Sequence, residues 1–262
     1  MDIDGRVDAF VGNAPSRAVL LRSLRGRDVC VRRNADRVFP AASLMKVPLA
    51  IAVLEQLDAT RVVRRSELGR TAYPSVLEVF DERHEFTLVE LCGLMLATSD
   101  NPIGTFLVEL VGMEAVTATA GRAGAHHTHM RVGFSDRDLG AAARSSTTTA
   151  DDMALILRYA ATQAHLRPVL GALRNSVRNF RLPLRLPDDL KVAHKTGSLR
   201  RLAHDAGILF GRHHDLIAVF LTEDQADTAA AGIQIGDCMA DVWRLLGEPV
   251  FALTASGLEV LR

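Results

Sequence analysis

The chain has 262 residues, 48% hydrophobic and 24% charged, which suits a soluble globular protein with a sizeable core. Lys and Arg total 31 against 31 Asp and Glu, and a zero net charge argues against a nucleic-acid surface, which usually carries a basic excess or stripe. Lysine accounts for only three of those basic residues (Lys46, Lys191 and Lys195) and arginine for the rest, so each retained lysine invites a reason.

The first twenty residues show no basic stretch leading into an apolar core and a small-residue cleavage site, so no secretory signal is visible. Arg17–Leu24 and Asp28–Arg33 read as short strands of a hairpin, split by Arg-Gly-Arg. A helix is expected from Ser43 through Ala59, with apolar residues at helical spacing and Pro48 tolerable in its first turn. Further helices are expected over Thr87–Ala97, Ile103–Val111, Glu114–Ala123, Thr149–Ala161 and Leu166–Val177. Thr149 followed by Asp152 resembles a capping box. From Val192 the pattern turns strand-like, in Val192–Leu199, Ala206–Arg212 and Leu216–Glu223, with His-His-Asp as a turn before the last. An amphipathic helix over Thr228–Leu246 carries the single tryptophan, Trp243. Early strands paired with late ones would form one sheet with helices against it, an all-helical lobe inserted between them, and a cleft where the lobes meet.

The longest apolar runs, Val47–Leu54 and Leu91–Ala97, fall far short of the roughly 18 residues of a membrane span. Cys30, Cys92 and Cys238 are widely spaced, form no CxxC pair and sit in apolar runs, so they read as reduced, buried thiols. The expectation is a cytoplasmic monomer with no membrane or nucleic-acid partner, secreted or periplasmic only if a leader precedes the chain.

Three motifs carry the chemistry. Ser43-Leu44-Met45-Lys46 is S-x-x-K, and residues three apart share a helix face, which brings the Lys46 amine within reach of the Ser43 hydroxyl. A serine is a poor nucleophile until a base takes its proton, and a lysine can serve when burial or a neighbouring cation lowers its pKa. Ser99-Asp100-Asn101 falls between two helices. Lys195-Thr196-Gly197-Ser198 falls on a strand, where Gly197 would admit a ligand close to the backbone. From composition alone the three patterns are expected roughly 0.14, 0.02 and 0.01 times, so their joint occurrence has odds of about one in 30,000.

With SxxK, SDN and KTG in this order, the sequence resembles the class A β-lactamases and the wider penicillin-recognising serine hydrolases. Phe39–Leu49, Thr87–Ile103, Thr147–Ala154 and Val192–Gly197 look like the family too, and His204–Gly207 looks like a branch of class-A-like serine hydrolases. The resemblance implies an α+β fold: an antiparallel sheet flanked by N- and C-terminal helices, plus an inserted all-helical lobe. It implies one catalytic domain over 1–262, the α/β lobe at about 1–46 and 191–262 and the helical lobe at about 47–190. It implies a hydrolase without metal or organic cofactor. Ser43 would attack the carbonyl, with Lys46 as base or relay and Ser99 passing a proton to the leaving nitrogen. Asn101 would orient Lys46 and the acyl side chain. Lys195, Thr196 and Ser198 would hold a substrate carboxylate, Gly197 lying between them, and the backbone N–H groups of Ser43 and Ser198 would form an oxyanion hole.

The match breaks in one loop. Where family β-lactamases carry Glu-Pro-Glu-Leu-Asn to hold the deacylating water, this chain reads Gly133 to Gly140, with Asp136 at the Glu position and Gly140 at the Asn position. The shorter side chain sets the carboxylate back by about 1.5 Å, a displacement of the kind that costs on the order of a hundredfold in rate. Three outcomes are therefore expected of the site: β-lactam opening with impaired or unusual deacylation at Asp136, acylation without efficient turnover as in a penicillin-binding protein, or a cytosolic esterase or amidase on another acyl metabolite. In each the partner is a small molecule bearing a carboxylate and an amide or ester.

Other polar residues read as structural. Asp100 would satisfy local backbone donors, and His204 and Asp205 would form a hydrogen-bonded pair at the border of the site. Thr147–Thr149 would cap a helix, and Lys191 would be solvated. His126, His127 and His129 have no acidic or cysteine cluster to complete a metal site. Arg200 and Arg201 are candidates for a second guanidinium on a substrate carboxylate.

Overall fold

In the computed structural model the described residues are 1–13, 15–69, 74–134, 142–254 and 257–261, with the backbone alone from residue 250 onward. In chain order they run α1 (Ile3–Val11), β1 (Arg17–Arg25), β2 (Cys30–Arg33), β3 (Phe39–Pro40), α2 (Lys46–Gln56), β4 (Val62–Arg64), β5 (Glu85–Thr87), α3 (Leu88–Thr98), α4 (Asn101–Val111) and α5 (Met113–Arg122). Then come β6 (Thr147–Thr148), α6 (Ala150–Thr162), α7 (Arg167–Arg174), β7 (Lys191–Leu199), β8 (Leu202–Phe210), β9 (Asp215–Thr222), α8 (Thr228–Leu245), β10 (Val250–Thr254) and β11 (Gly257–Leu261).

The main sheet is antiparallel in the order β2-β1-β9-β8-β7, so the first strands pair with the last and β7 is left at an edge. Both faces are covered, which is why β1 and β9 are continuous apolar runs rather than alternating ones. Val19, Leu21, Leu216, Ala218 and Phe220 point to a layer formed with Ile3 and Val7 of α1 and Ile235, Met239 and Trp243 of α8. Their neighbours Ala18, Leu20, Ile217, Val219 and Leu221 point the other way, into the larger core built on α2, α3, α4, α6 and α7. The two-residue period thus divides one strand between two cores. Helix α2 is buried at every position from Lys46 to Val53, the signature of a helix surrounded by others. This α+β arrangement is the expected one. Among the described residues no single helix is long and apolar enough to cross a membrane.

Several details differ from the sequence reading. Helix α1 was assigned no element from its own residues, yet Ile3, Val7, Phe10 and Val11 form a stripe and the Asp2 carboxylate caps it by accepting from Gly5 N. The helix expected from Ser43 begins as a 3-10 turn, Ala42–Met45, and becomes α-helical at Lys46. Strand β8 starts at Leu202, four residues early, so His204 and Asp205 are inside the sheet. Thr149 does cap α6, but the Asp152 carboxylate does not reach back. It accepts instead from His127 N and Thr128 Oγ, pinning the histidine-containing loop to the helix start. Cys92 and Cys238 are buried, whereas Cys30 is exposed, because it sits at the end of the edge strand β2. Burial pushes the Cys92 and Cys238 thiols up to about 12.

The turn between α3 and α4 matters most for the cleft. Asp100 caps α4 through Ile103 N (2.9 Å), while its other oxygen accepts from Ser75 Oγ (2.7 Å) and Val76 N (2.8 Å). One buried carboxylate therefore fixes a helix start and ties down the segment ahead of it. Asp100→Ala leaves the buried Ile103 N–H and the half-buried Val76 N–H without acceptors and is expected to cost about 2–4 kcal/mol. Urea unfolding of the variant beside the parent measures it.

Candidate active site

Ser43 lies in the 3-10 turn that leads into α2, entered through Ala42 at φ 48°, a left-handed conformation unusual for a residue with a Cβ. The turn is pressed against β7. A Cβ at Gly197 would meet Leu44 Cγ at 3.2 Å and the Ala41 carbonyl at 3.3 Å. The protein's own serine-bearing turn thus approaches Gly197 closely enough that a side chain there would have to displace it by a few tenths of an ångström.

Lys46 begins α2 with its side chain fully buried. Its Nζ lies 2.6 Å from Asn101 Oδ1, 2.8 Å from the Ser99 carbonyl and 3.4 Å from Ser43 Oγ. The first two partners can only accept, so they take two N–H bonds and leave the third direction of the amine facing the serine hydroxyl. In the ammonium form that direction carries a proton; in the neutral form it carries the lone pair. Burial favours the neutral form and holds the Lys46 pKa well below its usual 10.5. Lys195 and Arg178 add to the depression and Asp100 works against it.

The Ser99 carbonyl reaches Lys46 because Ser99 closes α3 in the left-handed conformation, φ 63° and ψ 36°. Asn101 then opens α4 immediately after the Asp100 cap, which directs its amide oxygen to the same amine. The SDN triplet is therefore a helix-to-helix corner in which Ser99 and Asn101 face Lys46 and Asp100 holds the corner in place.

The opposite wall is β7. Lys195 is 1% exposed, and among the described residues its amine donates only to the Thr196 carbonyl, at 3.0 Å. Burial lowers its pKa to about 7, helped by Arg178 and Arg181 and opposed by Asp205. Thr196 is buried beside it, whereas the Ser198 side chain emerges at the cleft. Arg181 donates to the Gly197 carbonyl (2.8 Å) and to Ser198 Oγ (2.7 Å), which orients that hydroxyl. Arg178 donates its Nε to the Thr98 carbonyl, so a second guanidinium sits at the rim.

Ser43, Asn101 and Ser198 line one cavity of about 130 Å³ together with Met45, Val132 and Phe134. All three motifs thus converge on one cleft. Asp136, by contrast, lies outside the described residues. His204 and Asp205 are not partners: consecutive strand residues face opposite sides. His204 donates from Nε2 to the Pro40 carbonyl and accepts at Nδ1 from Thr222 N, and burial lowers its pKa to about 3. Asp205 instead binds His194 Nδ1 (2.9 Å) and Leu182 N (3.0 Å). The guanidinium groups near the cleft belong to Arg178 and Arg181, while Arg200 and Arg201 are exposed at the turn beyond β7. Nothing local in the sequence distinguished Arg178 and Arg181 from the many other arginines. Among the described residues no group of three or more His, Cys, Asp and Glu side chains could hold a metal.

The sequence model of the beta-lactamase enzyme family matches residues 5–244. Among solved structures the chain is similar to a beta-lactamase from Sphaerobacter thermophilus, at 24% identity over 94% of this chain and 96% of that one, with a TM-score of 0.80. It is similar to a class A beta-lactamase from Bacteroides cellulosilyticus at 20% identity, over 94% and 99% of the two chains, with a TM-score of 0.82. It is also similar to PBP-A, at 18% identity, 94% and 96% coverage and a TM-score of 0.79. No curated protein sequence matches it. At these identities the structural likeness establishes the fold, which is that of the class A beta-lactamases.

With only three lysines, a 15N-lysine-labelled sample gives three Nζ signals to follow. The Lys195 signal is expected to titrate with a midpoint near 7, charged below it and neutral above it. A midpoint near 10.5 would show that the wall of the cleft is solvated rather than dry.

Proposed function

This chain belongs to the beta-lactamase enzyme family, and within that family of serine hydrolases we propose that it opens β-lactams through an acyl-Ser43 intermediate. The observation that carries the reading is the Lys46 amine, buried, held by two acceptors and left with one direction, towards Ser43 Oγ.

In the proposed reaction Lys46 starts neutral and takes the Ser43 proton as Oγ bonds to the substrate carbonyl carbon. The oxygen that becomes negative is received by the backbone N–H groups of Ser43 and Ser198, the latter on the edge strand β7. Losing one such donor typically costs about 3–4 kcal/mol of transition-state stabilisation. The C–N bond then breaks, with Ser99 passing a proton to the leaving nitrogen. Lys195, Thr196 and Ser198 hold the substrate carboxylate, with the Ser198 hydroxyl already oriented by Arg181. A charged Lys195 is needed for that contact, so with its pKa near 7 the capture of a carboxylate substrate weakens as pH rises through that value. Binding the anion raises the pKa again, which places the alkaline limb higher in kcat than in kcat/KM.

Water must finally attack the acyl carbonyl. The proposal assigns its activation to Asp136, whose carboxylate is one methylene shorter than the glutamate it replaces, and deacylation is therefore the slow step.

Intact-mass spectrometry after exposure to benzylpenicillin tests the reading. The parent protein is expected to gain the mass of the intact antibiotic and lose it over time as the acyl-enzyme hydrolyses, and Ser43→Ala is expected to gain none. An adduct that persists supports the acylating binder over the hydrolase. No adduct at all, alongside turnover of simple aryl esters that Ser43→Ala abolishes, supports the esterase or amidase.

A further inference from the structure

The cleft is lined by Ser43, Met45 and Asn101, on either side of Lys46 in space or sequence, but not by Lys46 itself. Phe134 lines the cleft as well, and Lys46 Nζ lies over its ring, 4.6 Å from the centroid, as a neighbour additional to Ser43, Ser99 and Asn101. Helix α4 makes room for it. A Cβ at Gly104 would lie 2.8 Å from Phe134 Cδ2 and 3.2 Å from Lys46 Cε, so only glycine lets the ring, the helix and the lysine stem meet. We propose that Phe134 is a positioning residue that closes the cleft side of Lys46 to water and so keeps the amine in the form able to accept the Ser43 proton. The inference rests on the acyl-Ser43 reading and adds to it a residue outside the three motifs.

The ring acts on the amine in two opposing ways. Its face attracts a cation, which favours the ammonium form. Its bulk excludes water, which disfavours that form, and for a buried lysine this desolvation is the larger effect. Substitution separates them. Phe134→Leu keeps an apolar cover and removes the aromatic face, whereas Phe134→Ala opens a path for water. Among the described residues the charged groups that act on Lys46 are Lys195 on β7, Arg178 ahead of β7 and Asp100 at the start of α4, and all are present in both variants.

The test is the pH profile of acylation by a chromogenic cephalosporin, from pH 4.5 to 9, in the parent and both variants. Acylation falls on the acid side as Lys46 gains its proton. In Phe134→Ala this limb is expected to move to higher pH by about one unit, so that on the acid side the rate, each normalised to its own plateau, is about tenfold lower than the parent's. In Phe134→Leu it is expected to stay or move to lower pH. A uniform loss at all pH values in Phe134→Ala, with the limb unmoved, would make Phe134 a packing residue only and overturn the proposal. A limb that rises equally in Phe134→Leu would overturn it too, by assigning the effect to the aromatic face. If Phe134→Ala does not fold, Phe134→Val opens a smaller gap with the same expected direction. If the parent never acylates on Ser43, the functional reading has failed instead. The Lys46 Nζ titration, followed by 15N NMR in the same proteins, then decides the seal by itself, rising in the alanine variant and not in the leucine one.

Discussion

A primary amine buried away from water, with no carboxylate in contact with it among the described residues, is the constraint that organises this molecule. An isolated ammonium in such a place is costly enough that lysine gives up its proton instead. Lys46 is provided with two oxygen acceptors, and a neutral amine has two hydrogens to donate. The match leaves nothing unsatisfied and directs the lone pair to Ser43 Oγ. A carboxylate in place of either acceptor would have stabilised the ammonium and removed the base. The nearest acid in the sequence motif, Asp100, instead has its oxygens taken by Ile103 N, Val76 N and Ser75 Oγ.

Meeting that constraint requires local conformations that the chain would otherwise avoid. Ala42 and Ser99 both adopt left-handed backbone angles, one just before Ser43 and the other one residue ahead of Asp100. Such conformations persist only where the surroundings over-determine them, and here those are the packing of the serine turn on β7 and the Asp100 cap. Two glycines serve the same end. Gly197 lets the edge strand touch the turn that carries Ser43, and Gly104 lets Phe134 lie against the lysine stem. The two cores of the sheet supply the rigidity, with α2 enclosed by helices along its buried length.

How much of this the sequence disclosed follows from how local each interaction is. The strands β1, β7 and β9 were legible as short, largely apolar runs, and helices α3 to α6 because their apolar residues recur at helical spacing. The three motifs were legible because SxxK is one helix turn and SDN one helix corner, so their geometry is nearly fixed by sequence separation. The seal on Lys46 was not legible. Phe134, Gly104 and Lys46 lie on three separate elements and meet only after folding, and a phenylalanine or glycine carries no mark of its destination. The pairing of Asp205 with His194 was missed for a related reason: β8 begins earlier than its apolar run suggests, and strand alternation then turns His204 and Asp205 to opposite faces. Helix α1 shows the converse. Its stripe and its cap were present in the sequence, but nine residues with a glycine near the start give a weak periodic signal.

The zero net charge of the chain conceals a local imbalance. Lys46, Lys195, Arg178 and Arg181 gather around the cleft, and among the described residues the carboxylates acting on the two lysines, Asp100 and Asp205, are hydrogen-bonded to backbone amides, Ser75 and His194. Among the described residues these four cations therefore have no carboxylate in contact with them, and a ligand's anion would supply one, as the proposed carboxylate substrate would. The imbalance also bears on why lysine is retained at 46 and 195 in a chain that elsewhere uses arginine almost exclusively. A guanidinium keeps its proton under all ordinary conditions, and four fixed charges in a dry cleft would repel one another without relief. An amine can discharge itself. At position 46 that ability supplies the base of the proposed reaction, and at position 195 it lets the cation appear when an anion arrives to share the cost.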